Sequence, residues 1–323
     1  MTTASFLIAV AAAGLMGFAN QRGETCTVAA IKEFVTTGRA SRFAALVEVS
    51  VWCFAGFIIL NRLGWLATKP VDFGIGSLTV IGAVVFGIGA AVNRACVFGT
   101  VARLGSGEWA YLGTPPGFYL GTLAALYLPE PPTSTRASIV FAAANWQVAI
   151  VVVLVFMRVW SHKVAISQGN RSVLQHVWSP RVATTILGIA FLFAFAAVGN
   201  WTYTEVLVDL AHHTNWTHRA EQAYSPDSHL RLRLVLGVAL LVGAVVGGLT
   251  ARRIQRVLPS VRDVGRRIAG GMLMGFGAAL IPGGNTALVL IGVPMLFPYA
   301  WLALVIICVT IYLFVRITGQ TAS

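Results

Sequence analysis

"GIGAAVNRACVFGTVARLGSGEW", residues 87–109, runs from an apolar, small-residue segment straight into Asn93, Arg94 and Cys96. An amide, a permanent cation and a thiol thus end what otherwise reads as a membrane helix. The residues beyond them, about 95–105, are apolar again but few. At ~1.5 Å per residue they reach ~16 Å, roughly half of a ~30 Å hydrocarbon core. The stretch therefore reads as a spanning helix, a break and a half-helix.

The same order of events recurs three times. Segments at about 23–36, 201–213 and 284–296 follow "GFANQRGETC", "AAVGNWTYTE" and "GAALIPGGNTA". Asn20, Asn93, Asn200 and Asn285 hold matching places, and Gly, Asn and Pro are the residues with which a chain leaves a helix. None of the four pieces exceeds ~21 Å as a helix, so each is expected to enter the membrane and return.

Composition supports a lipid solvent. The 323 residues are 57% hydrophobic and 11% charged, with mean hydropathy +0.78. A soluble domain carries roughly twice that charged fraction. The net charge of +12 does not indicate nucleic acid, because Lys and Arg sit singly or in short clusters between apolar blocks and not on one soluble face. Cys26, Cys53, Cys96 and Cys308 are far apart with no CxxC pair, which argues against a disulfide framework or a zinc site. His212, His213 and His218 bring no carboxylates in a ligating arrangement, so no metal or other cofactor is expected.

Nine segments approach the ~20 apolar residues that a spanning helix needs: about 3–19, 39–61, 72–92, 109–128, 137–159, 181–198, 231–250, 266–282 and 298–316. The first lacks a basic n-region and is followed by Arg22, so it is expected to be retained and not cleaved as a signal peptide. "LPEPPTSTR" (128–136) reads as a proline-rich turn and 213–233 as a surface loop. If the spans alternate, 17 of the 23 Lys and Arg fall on one side and 6 on the other. That bias is a positive-inside signal and predicts the N-terminus outside and the C-terminus in the cytoplasm.

The order span, half-helix, span, span, half-helix, span occurs twice, separated by the span 137–159. Five spans precede the second copy, so parity makes it inverted. The fold class expected is an all-α integral membrane protein of about nine transmembrane helices and four re-entrant half-helices. Residues 1–130 form the first repeat, 131–180 the linking helix and cytoplasmic loop, and 181–323 the second repeat. Such repeats characterise transporters, which bind substrate near the midplane among broken helices whose N-termini attract anions.

Arg22 and Arg94 occupy equivalent places where the chain enters a half-helix. An ionisable group at membrane depth is a functional candidate by default, whereas a cytoplasmic anchor that snorkels is the plainer reading. Cys26 and Cys96 fall on the first turns of two half-helices, where unpaired N–H groups polarise a thiol. Cys53 and Cys308 lie within continuous apolar spans and read as packing residues. Glu48 is the carboxylate set deepest in a span, suited to an arginine partner or a coupling proton.

On the stretches "GFANQRGETC", "NRACVFGTVARLGSG" and "GFGAALIPGGNTALVLIGVP", the chain resembles the YeeE/YedE sulfur-transport family, whose members import thiosulfate. The resemblance implies an hourglass-shaped bundle with a path lined by single cysteines, onto which Cys26 and Cys96 map. It also implies a small cytoplasmic sulfur-carrier protein as a partner. A third cysteine of the thiosulfate transporters is replaced here by the segment Gly283, Gly284, Asn285 and Thr286.

The reading is therefore a non-enzymatic importer of thiosulfate or a related sulfur anion in the inner membrane. Its path is expected at Cys26, Cys96, Asn20, Arg22, Asn93, Arg94, Asn200, Gly284, Asn285 and Thr286. Arg, amide and backbone N–H groups suit the oxygens of such an anion, and a neutral S–H suits its terminal sulfur. A facilitator for another small solute is the alternative. A membrane thiol oxidoreductase or sulfurtransferase subunit would want paired cysteines.

Overall fold

The computed structural model describes residues 2–66, 68–129, 131–134, 136–141, 145–167, 178–214, 227–252, 254 and 259–319. His218 and the middle of the loop expected at 213–233 lie outside these residues.

Thirteen helices and one small ribbon are described. The first half contains α1 (Thr3–Gly23), α2 (Thr27–Thr37), α3 (Ser41–Arg62), β1 (Asp72–Phe73), α4 (Ser77–Asn93), α5 (Val97–Gly105) and α6 (Thr114–Ala125). After β2 (Thr133–Ser134) come α7 (Asn145–Ser167), α8 (Pro180–Val198), α9 (Tyr203–Thr214), α10 (Asp227–Thr250), α11 (Val261–Leu280), α12 (Gly284–Ala287) and α13 (Pro298–Thr318). Leu288–Gly292 prolongs α12 as a wide π-type turn. The ribbon pairs Asp72 with Ser134 and Phe73 with Thr133, antiparallel.

A short helix follows each of the four expected breaks, and each break contains a residue of positive φ. Glu24 (φ 49°) and Arg94 (φ 60°) end α1 and α4, Gly199 (φ 85°) ends α8, and Gly283 with Gly284 (φ 83° and 56°) follows α11. Non-glycine residues in this region are strained by roughly 1–2 kcal/mol, so the first two breaks must be held by their surroundings. At α4 the holding groups are visible: Arg266 Nε donates to the Val92 carbonyl at 2.8 Å and Arg267 Nη1 donates to that of Asn93. Two cations thereby meet the negative end of the helix.

Among the described residues, six helical units are long and apolar enough to cross a membrane: Thr3–Thr37, Ser41–Arg62, Ser77–Gly105, Pro180–Thr214, Leu230–Thr250 and Pro298–Thr318. The bent pair Val261–Leu280 with Gly284–Gly292 makes a seventh. The expected nine differ by α6 and α7. The twelve residues of α6 follow a 3-10 turn, Trp109–Gly113, and within α7 the apolar helical stretch among the described residues is Trp146–Arg158. Three half-helices run on from their spanning helix as one unit, and the fourth turns by 53°. A single left-handed residue redirects a chain modestly, whereas Gly283 and Gly284 add two such turns in succession.

Packing relies on small residues. A Cβ at Gly17 of α1 would lie 1.8 Å from the Leu240 carbonyl of α10, and one at Gly275 of α11 would lie 1.9 Å from that of Phe118 on α6. Lipid gives no hydrophobic drive between helices, so close backbone approach supplies the dispersion contact instead. The contacts also exchange between halves: α1 packs on α10 as α3 packs on α8, and α6 on α11 as α13 on α4. Likewise α5 packs on α10 as α3 packs on 288–292, and α9 on α6 as α2 on α13.

Candidate functional site

Cys26 and Cys96 are the N-caps of α2 and α5, and neither thiol caps its own helix. Each takes the amide of the other's segment instead. Thr27 N donates to Cys96 Sγ at 3.3 Å, and Cys96 N donates to Cys26 Sγ at 3.4 Å. The two sulfurs are 3.5 Å apart. Two helix N-termini therefore meet head to head on two touching thiols, and both positive helix ends face them.

Gly99 makes this approach possible. A Cβ there would fall 2.4 Å from Cys26 Sγ, well inside van der Waals contact. The spacing C-x-x-G in "CVFG" places Gly99 one turn below Cys96 on the same face of α5. Arg103, four residues further, continues that face.

Cys26 lines a cavity of about 530 Å³. Arg42, Arg94, Arg103 and Arg252 line it together with Glu24 and Glu108. Arg42 pairs with Glu24 at 3.2 Å and Arg103 with Glu108 at 2.7 Å. Four cations against two carboxylates leave the lining net positive, so the cavity concentrates anions.

The four matched asparagines act as staples at their breaks. Asn20 Nδ2 donates to the Phe98 carbonyl at 2.8 Å, tying α1 to α5. Asn93 Nδ2 donates to the Ala95 carbonyl at 2.8 Å and to Thr100 Oγ1 at 3.1 Å, while its Oδ1 accepts from Thr114 at 2.9 Å. Asn285 Nδ2 donates to Thr27 Oγ1 at 3.3 Å, so the second half reaches the first beside the thiols. Asn200 Nδ2 donates to Glu205 Oε1 at 3.3 Å. Asn285 Oδ1 and Thr286 Oγ1 are buried with no hydrogen-bond partner among the described residues.

Other candidates fall elsewhere. Arg22 does not line the cavity: Nη2 donates to Thr250 Oγ1 at 2.9 Å, and the guanidinium lies 5.1 Å from the centre of the Phe18 ring. Glu48 pairs with neither Arg22 nor Arg94 but with Arg158 of α7, at 2.6 Å. Cys53 is fully buried, and Cys308 borders an apolar groove between α3 and α13. Gly284 packs against Ala278 and Thr204. Thr204 Oγ1 in turn donates to the Gly283 carbonyl at 2.6 Å, joining α9 to the α12 break.

Sequence reading overlooked Arg42, Arg103, Arg252, Gly99 and Thr27. Gly99 and Arg103 carried a signal in their helical spacing from Cys96. Arg42 and Arg252 come from distant segments and carried none.

A family model described as sulphur transport matches residues 22–313 of the chain. The thiosulfate transporter TsuA of Escherichia coli (strain K12) is 25% identical over 322 residues, covering 90% of this chain and 88% of that protein. Both capping cysteines, the arginine-lined cavity and the Gly283–Thr286 break lie inside the matched region. The chain belongs to the sulphur transport family, the YeeE/YedE proteins.

Proposed function

We propose that the protein imports a small sulfur-containing dianion, thiosulfate or a close relative, across the inner membrane by way of Cys26 and Cys96. The observation that carries this reading is the meeting of two helix N-termini on two thiols, one of which lines a net-positive cavity. Amide N–H groups and arginines suit the oxygens of such an anion, and thiol hydrogens suit its polarizable terminal sulfur. Membership of a sulphur transport family and the likeness to a thiosulfate transporter support the same substrate class.

Charge and packing support a topology for this reading. Arg42, Arg94, Arg103 and Arg252 belong to three interhelical segments that strict alternation puts on one side, and they share one cavity. That cavity is the cytoplasmic mouth, with the N-terminus outside and the C-terminus inside. Residues 1–130 and 181–323 are inverted repeats joined through 131–180, an arrangement supported by the exchanged helix contacts. Nine passes follow when α6 and α7 each cross. Asn20, Asn93, Asn200, Gly284, Asn285 and Thr286 shape the path, Arg94 guides the anion at the mouth, and Arg22 steadies the start of the break. A small sulfur-carrier protein receives the sulfur compound at the cytoplasmic face.

The chemistry needed is binding and release, with no catalytic step. Proteoliposomes loaded with buffer and given radiolabelled thiosulfate test the reading. Accumulation that unlabelled thiosulfate abolishes, and that an equal concentration of sulfate does not, is the expected result. No uptake of any sulfur oxyanion would overturn it.

A further inference from the structure

We infer that Cys26 and Cys96 form an oxidisable dithiol, a modification site for small dianions with an activated sulfur–sulfur bond, the polythionates, and that its disulfide shuts the path. The site itself rests on geometry; the closure rests on the transport reading above. Three observations place the chemistry. The two sulfurs are 3.5 Å apart and must approach by about 1.5 Å to reach bonding distance. Each receives a backbone N–H from the other's helix start, at 3.3 and 3.4 Å, and such donors stabilise negative charge gathering on an attacking sulfur. Cys26, 7% exposed, borders the arginine-lined cavity, whereas Cys96 is 1% exposed behind it.

These differences assign the roles. Cys26 meets the incoming dianion, and Cys96 resolves the adduct. With tetrathionate, Cys26 gives up its proton and attacks one of the two central sulfurs. The central bond breaks and one thiosulfate leaves, so Cys26 carries an S-thiosulfonate. Cys96 then loses its proton and attacks Cys26 Sγ, expelling a second thiosulfate. In sum, two thiols and one tetrathionate become one disulfide, two thiosulfates and two protons, and two electrons pass from the thiols to the polythionate. Cys53 is fully buried and Cys308 borders an apolar groove, which gives a charged oxidant a poor route to either. The disulfide would remove both S–H donors and lock the start of α2 to the start of α5 beside the cavity.

The test uses the full chain in proteoliposomes, treated with sodium tetrathionate and then denatured, alkylated and digested for mass spectrometry. Cys26 and Cys96 should disappear together into one linked peptide pair, while Cys53 and Cys308 remain alkylated. Labelled-thiosulfate uptake, measured after the oxidant is washed away, should fall about tenfold or more and return with dithiothreitol. Cys96→Ser should hold the reaction at a thiosulfonate on Cys26. Independent adducts on both cysteines of the unaltered chain, or equal consumption of Cys53 and Cys308, would overturn the dithiol. A disulfide that leaves uptake unchanged would overturn the closure. Disulfide formation in a chain that moves no thiosulfate even when reduced would refute the transport reading and leave the dithiol standing.

Discussion

Thr27 donates its amide hydrogen to Cys96 Sγ at 3.3 Å across 69 residues of sequence. The first turn of α2 is thus satisfied by the residue that starts α5, and neither helix can shift without disturbing the thiol of the other.

The cysteines should divide into two classes. Alanine at Cys26 or Cys96 removes a sulfur at the junction and should reduce thiosulfate uptake by at least about tenfold. Alanine at Cys53 or Cys308 leaves the junction intact and should keep uptake within a few-fold of normal. Initial rates in proteoliposomes at matched protein density measure this, and the opposite ranking would remove the junction from the path.

Gly99→Ala places a Cβ 2.4 Å from Cys26 Sγ. The overpacking should cost about 1–3 kcal/mol, read as a lower melting temperature in detergent, and should reduce uptake with it. Cys26→Ala deletes the clashing sulfur, so the double variant should melt above Gly99→Ala alone. Equal melting of the two would mean that the remaining contacts of the new Cβ, with the Cβ of residue 26 at 2.9 Å and that of Ala95 at 3.1 Å, and not the thiol, carry the strain.

Arg94 and Arg252 line the cavity without an ion-pair partner among the described residues. Their glutamine variants should raise the substrate concentration for half-maximal uptake and leave the maximal rate close to normal. The effect should shrink between 20 and 500 mM salt, roughly the range in which the Debye length falls from ~20 to ~4 Å. A lowered maximal rate with unchanged half-saturation would assign these arginines to the transport step itself.

Asn285 and Thr286 carry buried oxygen atoms with no partner among the described residues, beside Thr27 at the start of α2. Alanine at both should weaken thiosulfate binding by about 1–3 kcal/mol, the usual cost of leaving a buried polar partner unmade. Thr286→Cys should retain uptake and favour substrates with a terminal sulfur over sulfite. Competition assays with sulfate, sulfite and thiosulfate separate these outcomes; unchanged selectivity in both variants would leave the second half a scaffold.

Ser260 is exposed and caps α11, within the most basic interhelical segment. In a background lacking the native cysteines, Ser260→Cys should react with an impermeant maleimide only in inverted membrane vesicles. Thr133→Cys, in the ribbon with β1, should react only from the opposite side. Labelling of both from the same side would contradict the alternation of spans.

Solvent class, helix breaks and chemically unusual residues were legible in the sequence because each depends on local composition. An apolar run and an Asn-Arg or Gly-Gly interruption announce a broken membrane helix wherever it is later packed, and Cys26 and Cys96 stood out by their place at such breaks. How far each break turns was not legible: Glu24 and Arg94 leave the chain in one continuing unit, whereas Gly283 and Gly284 turn it by 53°. Nor did the sequence show that the two thiols touch, that Asn285 reaches Thr27, or that Glu48 pairs with Arg158. Arg42 and Arg252 carried no local mark at all, and they share a cavity with Cys26 only because distant helices converge there. Periodicity reports what one helix does with its own neighbours; the site is assembled between helix starts separated by 69 to 258 residues, where glycine-mediated close packing and cross-helix hydrogen bonds set the distances.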